Sequence, residues 1–426
     1  MRSRVTLGVV MLTMSAGASW AEWPQYLGPT RDAKSPETGL ARSWPEGGPK
    51  VLWTFPLGAG YGAAAVSKGK VYVLDRVVRE QDVLRCIDLV SGEEEWSFAY
   101  DAPGTTSHPG SRSVPAIDGK YVYTCGPRGD LHCIDTETRK PVWRKNIWRD
   151  FGGGGRVPMW AIGQNPLVYG DLLIVAPQTP ETGAVAFDKS TGEVQWTSPP
   201  YGMRWGYASP TIVSIGGEDQ VVVIGAGPGR RDPPQTQPGG SVTGLDPQTG
   251  KVLWAYKGWQ CQIPVANVTE IGDGRLFITG GYLAGSAMIK VEKRDGAFAV
   301  TELYKTPAFG THVHPAILYE GHLYGHCSTN ETKDGLVCMD LDGNVKWKTG
   351  RSPVFDKGGF ILADGLFLSV DGREGILYLI EPSPEGFKQL ARAKLLDTKE
   401  CWAPLALSDG KLVIRDQEKM RCVAVR

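Results

Sequence analysis

One short pattern occurs five times along the chain, and it limits the accessible folds more than any other feature. Each copy has an apolar run ending in Asp, a polar turn segment, and a Trp that follows the Asp by seven or eight positions. The copies are CIDLVSGEEEW (86–96), CIDTETRKPVW (133–143), AFDKSTGEVQW (186–196), GLDPQTGKVLW (244–254) and CMDLDGNVKW (338–347). This order of apolar run, turn and aromatic-ended run predicts two strands joined by a tight turn.

The acidic residues of the first copy raise a second interpretation, a calcium loop. Such a loop needs oxygen ligands at alternating positions and a closing Glu, and none of the five copies supplies that set. The turn explains the same residues more simply, because an Asp such as Asp88 accepts hydrogen bonds from backbone N–H groups two residues on. We therefore predict that the Asp of each copy shapes a turn.

Two further strand signals precede every copy, and the whole unit repeats. SVPAID, Gly-Lys and YVYTCG over 113–126 show the order most clearly, and eight such units occur. Four strands at a spacing of about fifty residues are typical of a propeller blade. The fourth strand of each blade is expected to carry one of Trp53, Trp96, Trp143, Trp196, Trp254, Tyr304, Trp347 and Leu390. The sequence thus predicts an all-β fold, an eight-bladed β-propeller with four-stranded antiparallel blades.

The two ends of the chain predict how the ring closes. A fourth-type strand, VLWTFP (51–56), comes before the first complete unit, and the chain stops after the eighth third strand. Pairing of these N- and C-terminal strands would complete the eighth blade and remove the exposed edges of an open sheet. Residues 22–426 are therefore expected to form a single propeller domain.

Residues 1–21 have the composition of a secretory signal peptide. They contain two arginines, an apolar run and small residues at Ser19 and Ala21. We expect cleavage near Ala21 and an exported chain, periplasmic or secreted. Lys plus Arg equals Asp plus Glu at 46 each, so the net charge indicates no nucleic-acid partner. No later apolar run is long enough to span a membrane, and we expect a monomer.

Eight cysteines in an exported chain leave two interpretations open. Cys125 with Cys133, and Cys327 with Cys338, bracket equivalent hairpins and could form disulfides. Alternatively, the third strand of a blade requires a small buried apolar residue at this position, since Cys86 occupies the same position without a partner.

The pattern x-D-x-x-T-G-x-x-x-W, with the opening WPQYLGPTRDAKSPETGL (23–40), resembles the PQQ-like repeat family. This family includes quinoprotein alcohol dehydrogenases and BamB-like exported proteins, and the resemblance covers 23–426. It implies that each blade-end Trp packs flat between neighbouring blades. It also makes pyrroloquinoline quinone (PQQ), placed in the channel mouth, a candidate cofactor.

This chain differs from the quinoprotein alcohol dehydrogenases in three features on which their chemistry depends. They carry adjacent cysteines over the cofactor, they run to a much longer chain, and they hold calcium with a Glu, an Asn and an Asp beside a further Asp base. No two cysteines are adjacent here, and no such carboxylate set can be assigned. We therefore predict no catalytic residue, no metal and no firmly assigned cofactor.

A binding site is expected at the rim or in the channel mouth, where propellers usually carry function. The longest loops, 100–112, 146–160, 199–207 and 226–240, belong to one rim. His312 and His314 form an H-x-H pair that could start a metal site, but no third ligand is apparent. Arg and Lys would attract a planar polyanion and Trp would stack on it. The candidate cofactor-binding residues are Arg112, Trp160, Tyr207, Gln262, His312, His314, Lys357 and Trp402.

Two functions follow from these expectations. The first is a non-catalytic binding or interaction scaffold in the cell envelope, which presents its rim loops to a protein or a glycan. The alternative is a PQQ-dependent alcohol or sugar dehydrogenase. We favour the first because proteins with the same fold often differ in chemistry. The three departures also concern the cofactor-covering cysteines, the chain length and the calcium ligands of the dehydrogenases.

Overall fold

The computed structural model describes residues 21–426 except 78, 202–203, 229–239 and 330. The predicted signal peptide therefore lies outside the described residues, apart from Ala21. The strands, in chain order, are β1 (Lys34–Ser35), β2 (Val51–Pro56), β3 (Ala65–Ser67), β4 (Lys70–Val77), β5 (Arg79–Asp88), β6 (Glu94–Gly104), β7 (Ala116–Asp118), β8 (Tyr121–Cys125), β9 (Asp130–Asp135), β10 (Lys140–Asn146), β11 (Leu167–Tyr169), β12 (Leu172–Val175), β13 (Val185–Asp188), β14 (Val194–Thr197), β15 (Thr211–Ile215), β16 (Glu218–Ile224), β17 (Val242–Leu245), β18 (Val252–Tyr256), β19 (Thr269–Gly272), β20 (Arg275–Gly280), β21 (Gly285–Arg294), β22 (Ala297–Thr306), β23 (Ile317–Tyr319), β24 (His322–Ser328), β25 (Lys333–Asp340), β26 (Val345–Lys348), β27 (Phe360–Ala363), β28 (Leu366–Val370), β29 (Ile376–Glu381), β30 (Lys388–Lys394), β31 (Ala406–Ser408), β32 (Lys411–Arg415) and β33 (Lys419–Ala424).

Across the described residues, these strands form eight sheets, each built on a propeller blade of four antiparallel strands, and β1 adds a fifth, parallel strand to one of them. Blades 1 to 7 take four consecutive strands each, from β3–β6 to β27–β30, and blade 8 contains β31–β33 with β2. The predicted all-β, eight-bladed architecture is confirmed. A single helical turn, Arg149–Phe151, interrupts this part of the chain, and no described helix combines the length and hydropathy that crossing a bilayer requires.

The ring closes where the sequence predicts. Strand β2 pairs antiparallel with β33, and Trp53 lies opposite Cys422 in the register. The outer strand of blade 8 therefore comes from the N-terminal part of the chain and its three inner strands come from the C-terminal part. This closure leaves no open sheet edge between the first and last blades.

Each repeat Asp shapes its turn as predicted. Asp88 Oδ1 accepts hydrogen bonds from the backbone N–H groups of Val90 at 2.9 Å and Ser91 at 2.8 Å. These donors, together with Lys70, favour the ionised carboxylate and lower the pKa of Asp88 to about 2. Asp135, Asp188, Asp246 and Asp340 accept equivalent pairs of bonds in their own turns.

The blade-end indoles join neighbouring blades, which confirms the packing implied by the family. Trp196 Nε1 donates to Pro247 O at 3.0 Å, in the turn of the next blade. The ring lies against Gly250 of that turn, where an added Cβ would meet Trp196 Cε3 at 2.3 Å. Trp53 and Trp143 dock in the same way on Gly92 and Gly192. In these three turns Gly is favoured both by its positive φ and by the indole above it, whereas the second copy has Arg139 at this position with φ +61°.

The prediction that Leu390 takes the blade-end position in blade 7 is wrong. In the other blades the aromatic residue directly follows a register shift, as Trp196 does opposite Ala186. In blade 7 the residue in that register is Ala391, opposite Leu379. The neighbouring blade 8 accounts for this small residue. Its third and fourth strands come from opposite ends of the chain, so they are not joined by a tight turn with a Gly on which an indole could dock.

The two proposed disulfides are absent, and all eight cysteines are buried and free. Cys133 lies opposite Tyr123, whereas Cys125 lies opposite Leu131. On its other side Cys133 faces the blade-end Trp143. Small side chains in this position leave room for the indole, which supports the second interpretation of the cysteines.

The N-terminal segment, residues 21–40, crosses the axis of the ring at the end opposite the long loops. Trp23 is 1% exposed and pairs with Val66 on the inner strand of blade 1. Arg31 Nη2 donates to Val168 O of blade 3 at 2.7 Å, and β1 pairs parallel with β27 of blade 7. Since blades 3 and 7 lie on opposite sides of an eight-bladed ring, the segment spans the channel and closes this end.

Candidate functional site

A cavity of about 240 Å³ lies at the centre of the ring. The loops that enter the inner strands form its wall, and Tyr26 of the N-terminal segment reaches it from below. Because that segment crosses the channel, it covers the cavity on the side away from the rim. Its lining residues are Tyr26, Tyr61, His108, Arg112, Trp160, Gly163, Asn165, Tyr207, Ser209, Ile263, Val265, Tyr282, His312, Val313, Lys357, Trp402 and Pro404.

Six of the eight sequence-predicted residues meet in this cavity. They are Arg112, Trp160, Tyr207, His312, Lys357 and Trp402. Gln262 is exposed and is not among the lining residues. His314 is buried behind the wall, where its Nε2 lies 3.0 Å from Trp402 O, so it positions the Trp402 loop and does not face the cavity.

Arg112 is a cation with no acidic partner. Its Nη1 and Nη2 each donate at 2.9 Å to backbone carbonyls, those of Gly110 and His108, and it makes no ion pair with any described residue. The guanidinium lies 5.8 Å from the ring centre of Tyr61. Burial lowers the pKa of Arg112 to about 10, which still leaves it protonated at neutral pH.

Lys357, in contrast, is neutralised within the wall. Its ammonium lies 3.1 Å from Asp356 Oδ1 and 4.4 Å from the centre of the Trp402 ring. The second oxygen of the same carboxylate, Asp356 Oδ2, accepts a 2.9 Å hydrogen bond from Trp402 Nε1. The three side chains therefore satisfy one another, and Lys357 is only 8% exposed.

The second carboxylate near the mouth is also engaged. The Tyr61 hydroxyl donates a hydrogen bond to Glu400 Oε2 at 2.6 Å, and the Tyr61 ring stacks on Trp402 at 5.5 Å between centres. Burial and this hydrogen bond both raise the pKa of Tyr61. Neither Asp356 nor Glu400 lines the cavity.

His312 and His314 are neutral at pH 7. Burial, with a smaller contribution from Lys357, lowers the pKa of His312 to about 3, and burial lowers that of His314 to about 4. His312 meets the edge of Tyr282 at 4.8 Å, and His108 lies 5.1 Å from Trp160. The wall is thus largely aromatic, and Arg112 is the Arg or Lys side chain among its described lining residues that has no acidic partner.

Sequence reasoning missed several lining residues. Tyr26 was treated only as part of the family-like opening, and His108 and Tyr282 lie in loops whose geometry no local pattern specifies. Asn165 and Ser209 were visible as inner-strand positions before a proline. They link blades 2 to 4, because Asn165 Oδ1 accepts from Val114 N at 2.6 Å and Asn165 Nδ2 donates to Ser209 Oγ at 2.8 Å.

These residues do not fit the metal and quinone pair of the dehydrogenases. The described part of the chain holds no group of three His, Cys, Asp or Glu side chains placed to bind a metal ion. PQQ carries three carboxylates, whereas the cavity offers one cation without a partner. Its volume also falls below the roughly 300–1,000 Å³ usual for sites of drug-sized ligands.

Comparison with known proteins agrees with this architecture. The family model described as outer membrane protein assembly factor BamB, a PQQ-like model, matches residues 79–349. The chain belongs to the PQQ-like repeat β-propeller family. The match covers more than half of the sequence and includes all five Asp-to-Trp copies completely.

Members of this family with different roles resemble the chain. It is 25% identical over 162 residues to a quinoprotein ethanol dehydrogenase of Pseudomonas aeruginosa, which is 37% of this chain and 24% of that protein. The chain thus spans about a quarter of that relative's length. Among solved structures, a europium-containing methanol dehydrogenase aligns with a TM-score of 0.65 at 13% identity, over 95% of this chain and 89% of the other. BamB from Moraxella catarrhalis aligns with a TM-score of 0.57 at 14% identity, over 88% and 99%. At these identities the likeness shows the fold alone.

Proposed function

We propose that this protein is an exported, non-catalytic binding scaffold of the cell envelope. The observation that carries the proposal is the state of the two carboxylates near the cavity. Asp356 is held by Lys357 and Trp402, and Glu400 is held by Tyr61. A general base needs hydrogen-bond reach to a bound substrate, and neither side chain lines the cavity.

The rim provides a surface suited to a partner. Met159 is 68% exposed and directly precedes the lining residue Trp160. Leu283 is 63% exposed and directly follows the lining residue Tyr282. Large apolar side chains exposed beside a cavity mouth favour contact with a protein or a glycan. The export signal predicted for residues 1–21 would place this rim in the envelope.

Site-specific photocrosslinking in the producing cell tests the proposal. We expect a photoreactive residue in place of Met159 to give discrete crosslinked species, because that side chain lies on the rim. The matched control is the same residue in place of Val90, which is 58% exposed on an outer turn. Equal crosslinking from both positions, or from neither, would contradict a binding role for the rim.

A second candidate is the PQQ-dependent dehydrogenase. It is supported by the relative from Pseudomonas aeruginosa and by the Arg, Lys and Trp side chains around the cavity. The purified protein is mixed with PQQ and calcium, and dye reduction is followed with alcohols and sugars. Quinone absorbance that stays with the protein, together with substrate-dependent dye reduction, would contradict the scaffold hypothesis and support the dehydrogenase.

A further inference from the structure

We propose that the central cavity binds a small planar monoanion, an aromatic monocarboxylate, with Arg112 as the partner of its carboxylate. The proposal deepens the binding role proposed above and rests on it. Its test addresses the cavity, whereas the test of the scaffold addresses the rim, so the failure of one can be distinguished from the failure of the other.

The charge balance of the wall indicates one negative charge. Arg112 is half-buried, and a partly enclosed guanidinium without a counter-ion is unfavourable because it has lost part of its hydration without gaining an ion pair. Arg112 uses its two observed hydrogen bonds on neutral carbonyls of its own loop, and a guanidinium has five N–H donors. A carboxylate in the cavity would accept two of the remaining donors in the planar, bidentate arrangement that guanidinium favours.

The same balance argues against a polyanion. Lys357 is already paired with Asp356, so a ligand with three carboxylates would bring two charges for which the described lining residues offer no further unpaired Arg or Lys. Burying unpaired charges is strongly unfavourable. The site therefore discriminates by charge number as well as by size.

The aromatic walls indicate the shape of the ligand. Tyr61 and Trp402 stack on each other at an angle of 29°, and Trp160 and Tyr207 complete a wall of flat rings. A planar aromatic ligand gains offset-stacked or edge contacts with such rings. Tyr26, on the segment that closes the channel, sets the depth and limits the ligand to about one ring system.

Titration with matched probes tests the proposal. Benzoate is the monoanion, benzamide is its neutral counterpart of the same shape, and benzene-1,3,5-tricarboxylate is the polyanion, with binding followed by tryptophan fluorescence and calorimetry. We expect benzoate to bind at least about tenfold more tightly than benzamide or the tricarboxylate, since a charged hydrogen-bonded pair contributes at least that factor.

Two variants locate the effect. Arg112→Gln should abolish the preference for benzoate over benzamide, whereas Arg144→Gln, which removes an exposed cation from the outer strand of blade 2, should leave it unchanged. Arg112→Gln is also expected to fold, because it removes an unpaired charge. Tyr26→Ala should admit biphenyl-4-carboxylate, which the unaltered protein excludes.

Equal binding of benzoate and benzamide, or a preference that survives Arg112→Gln, would overturn the proposal. Rim crosslinking with no benzoate preference would refute the cavity ligand while leaving the scaffold intact. Benzoate preference without rim crosslinking would refute the rim and retain the cavity.

Discussion

The docking of one blade's indole on the next blade's turn glycine can be measured with a matched pair of substitutions in blade 4. Gly250→Ala places a Cβ 2.3 Å from Trp196, and Gly250 has φ +69°. Gly217→Ala introduces the same side chain at φ +80°, with nothing within 4 Å. Both variants introduce the backbone strain of Ala in the left-handed region, but only Gly250→Ala displaces the indole.

The expected magnitudes differ accordingly. Left-handed Ala costs about 1–2 kcal/mol, which should be the whole effect of Gly217→Ala on the free energy of unfolding. Overpacking against a buried ring adds about 1–3 kcal/mol, so Gly250→Ala should lower the free energy of unfolding by about 2–5 kcal/mol. Urea denaturation followed by tryptophan fluorescence measures both.

A double-mutant cycle separates the two contributions. In a Trp196→Ala background, the extra cost of Gly250→Ala over Gly217→Ala should disappear, because no ring remains above the turn. The reasoning is refuted if the two glycine variants are equally stable in the unaltered protein. It is also refuted if the difference persists without the indole.

Two further predictions concern buried and turn residues. Burial lowers the pKa of His326 to about 3, so the unfolded chain binds its proton below about pH 6.5 while the folded chain does not. Stability should therefore fall as the pH falls from about 6.5, and His326 should contribute up to about 1.4 kcal/mol per pH unit. In His326→Gln, the urea midpoint of unfolding should depend less on pH between about pH 6.5 and 4.5 than it does in the unaltered protein. Asp246→Ala removes the acceptor of the Gln248 and Thr249 N–H groups and should cost about 0.5–2 kcal/mol, whereas Asp246→Asn keeps an acceptor and should stay close to the unaltered stability in thermal unfolding. An Ala variant as stable as the Asn variant would show that the turn does not need this side chain.

The repeat made the fold predictable because each part of it acts locally. Asp88 and Gly92 specify a turn through bonds and dihedral angles within a few residues, and Trp96 marks the strand that follows. Leu390 was assigned wrongly for the opposite reason. Whether a blade-end position needs an indole depends on the turn of the neighbouring blade, and for blade 7 that turn is replaced by the chain ends.

The candidate site was predictable in part. Arg112, Tyr207 and His312 each lie three residues before a proline at the start of an inner strand. Alignment of the repeats on this proline therefore predicts that all three lie at the channel. Gln262 was assigned by the same alignment, but its side chain is exposed. A register assigns a residue to a loop, whereas the direction of its side chain depends on the packing of the neighbouring loops.

The sequence alone determined the blade count, the ring closure and the identity of six cavity-lining residues, because a periodic pattern reports interactions between residues close in the chain or in equivalent strands. Only the tertiary structure decided that the N-terminal segment closes the channel beneath Tyr26 and that Lys357 is neutralised while Arg112 is not. Those properties depend on which side chains from distant loops come within a few ångströms of one another, and no local pattern encodes such distances.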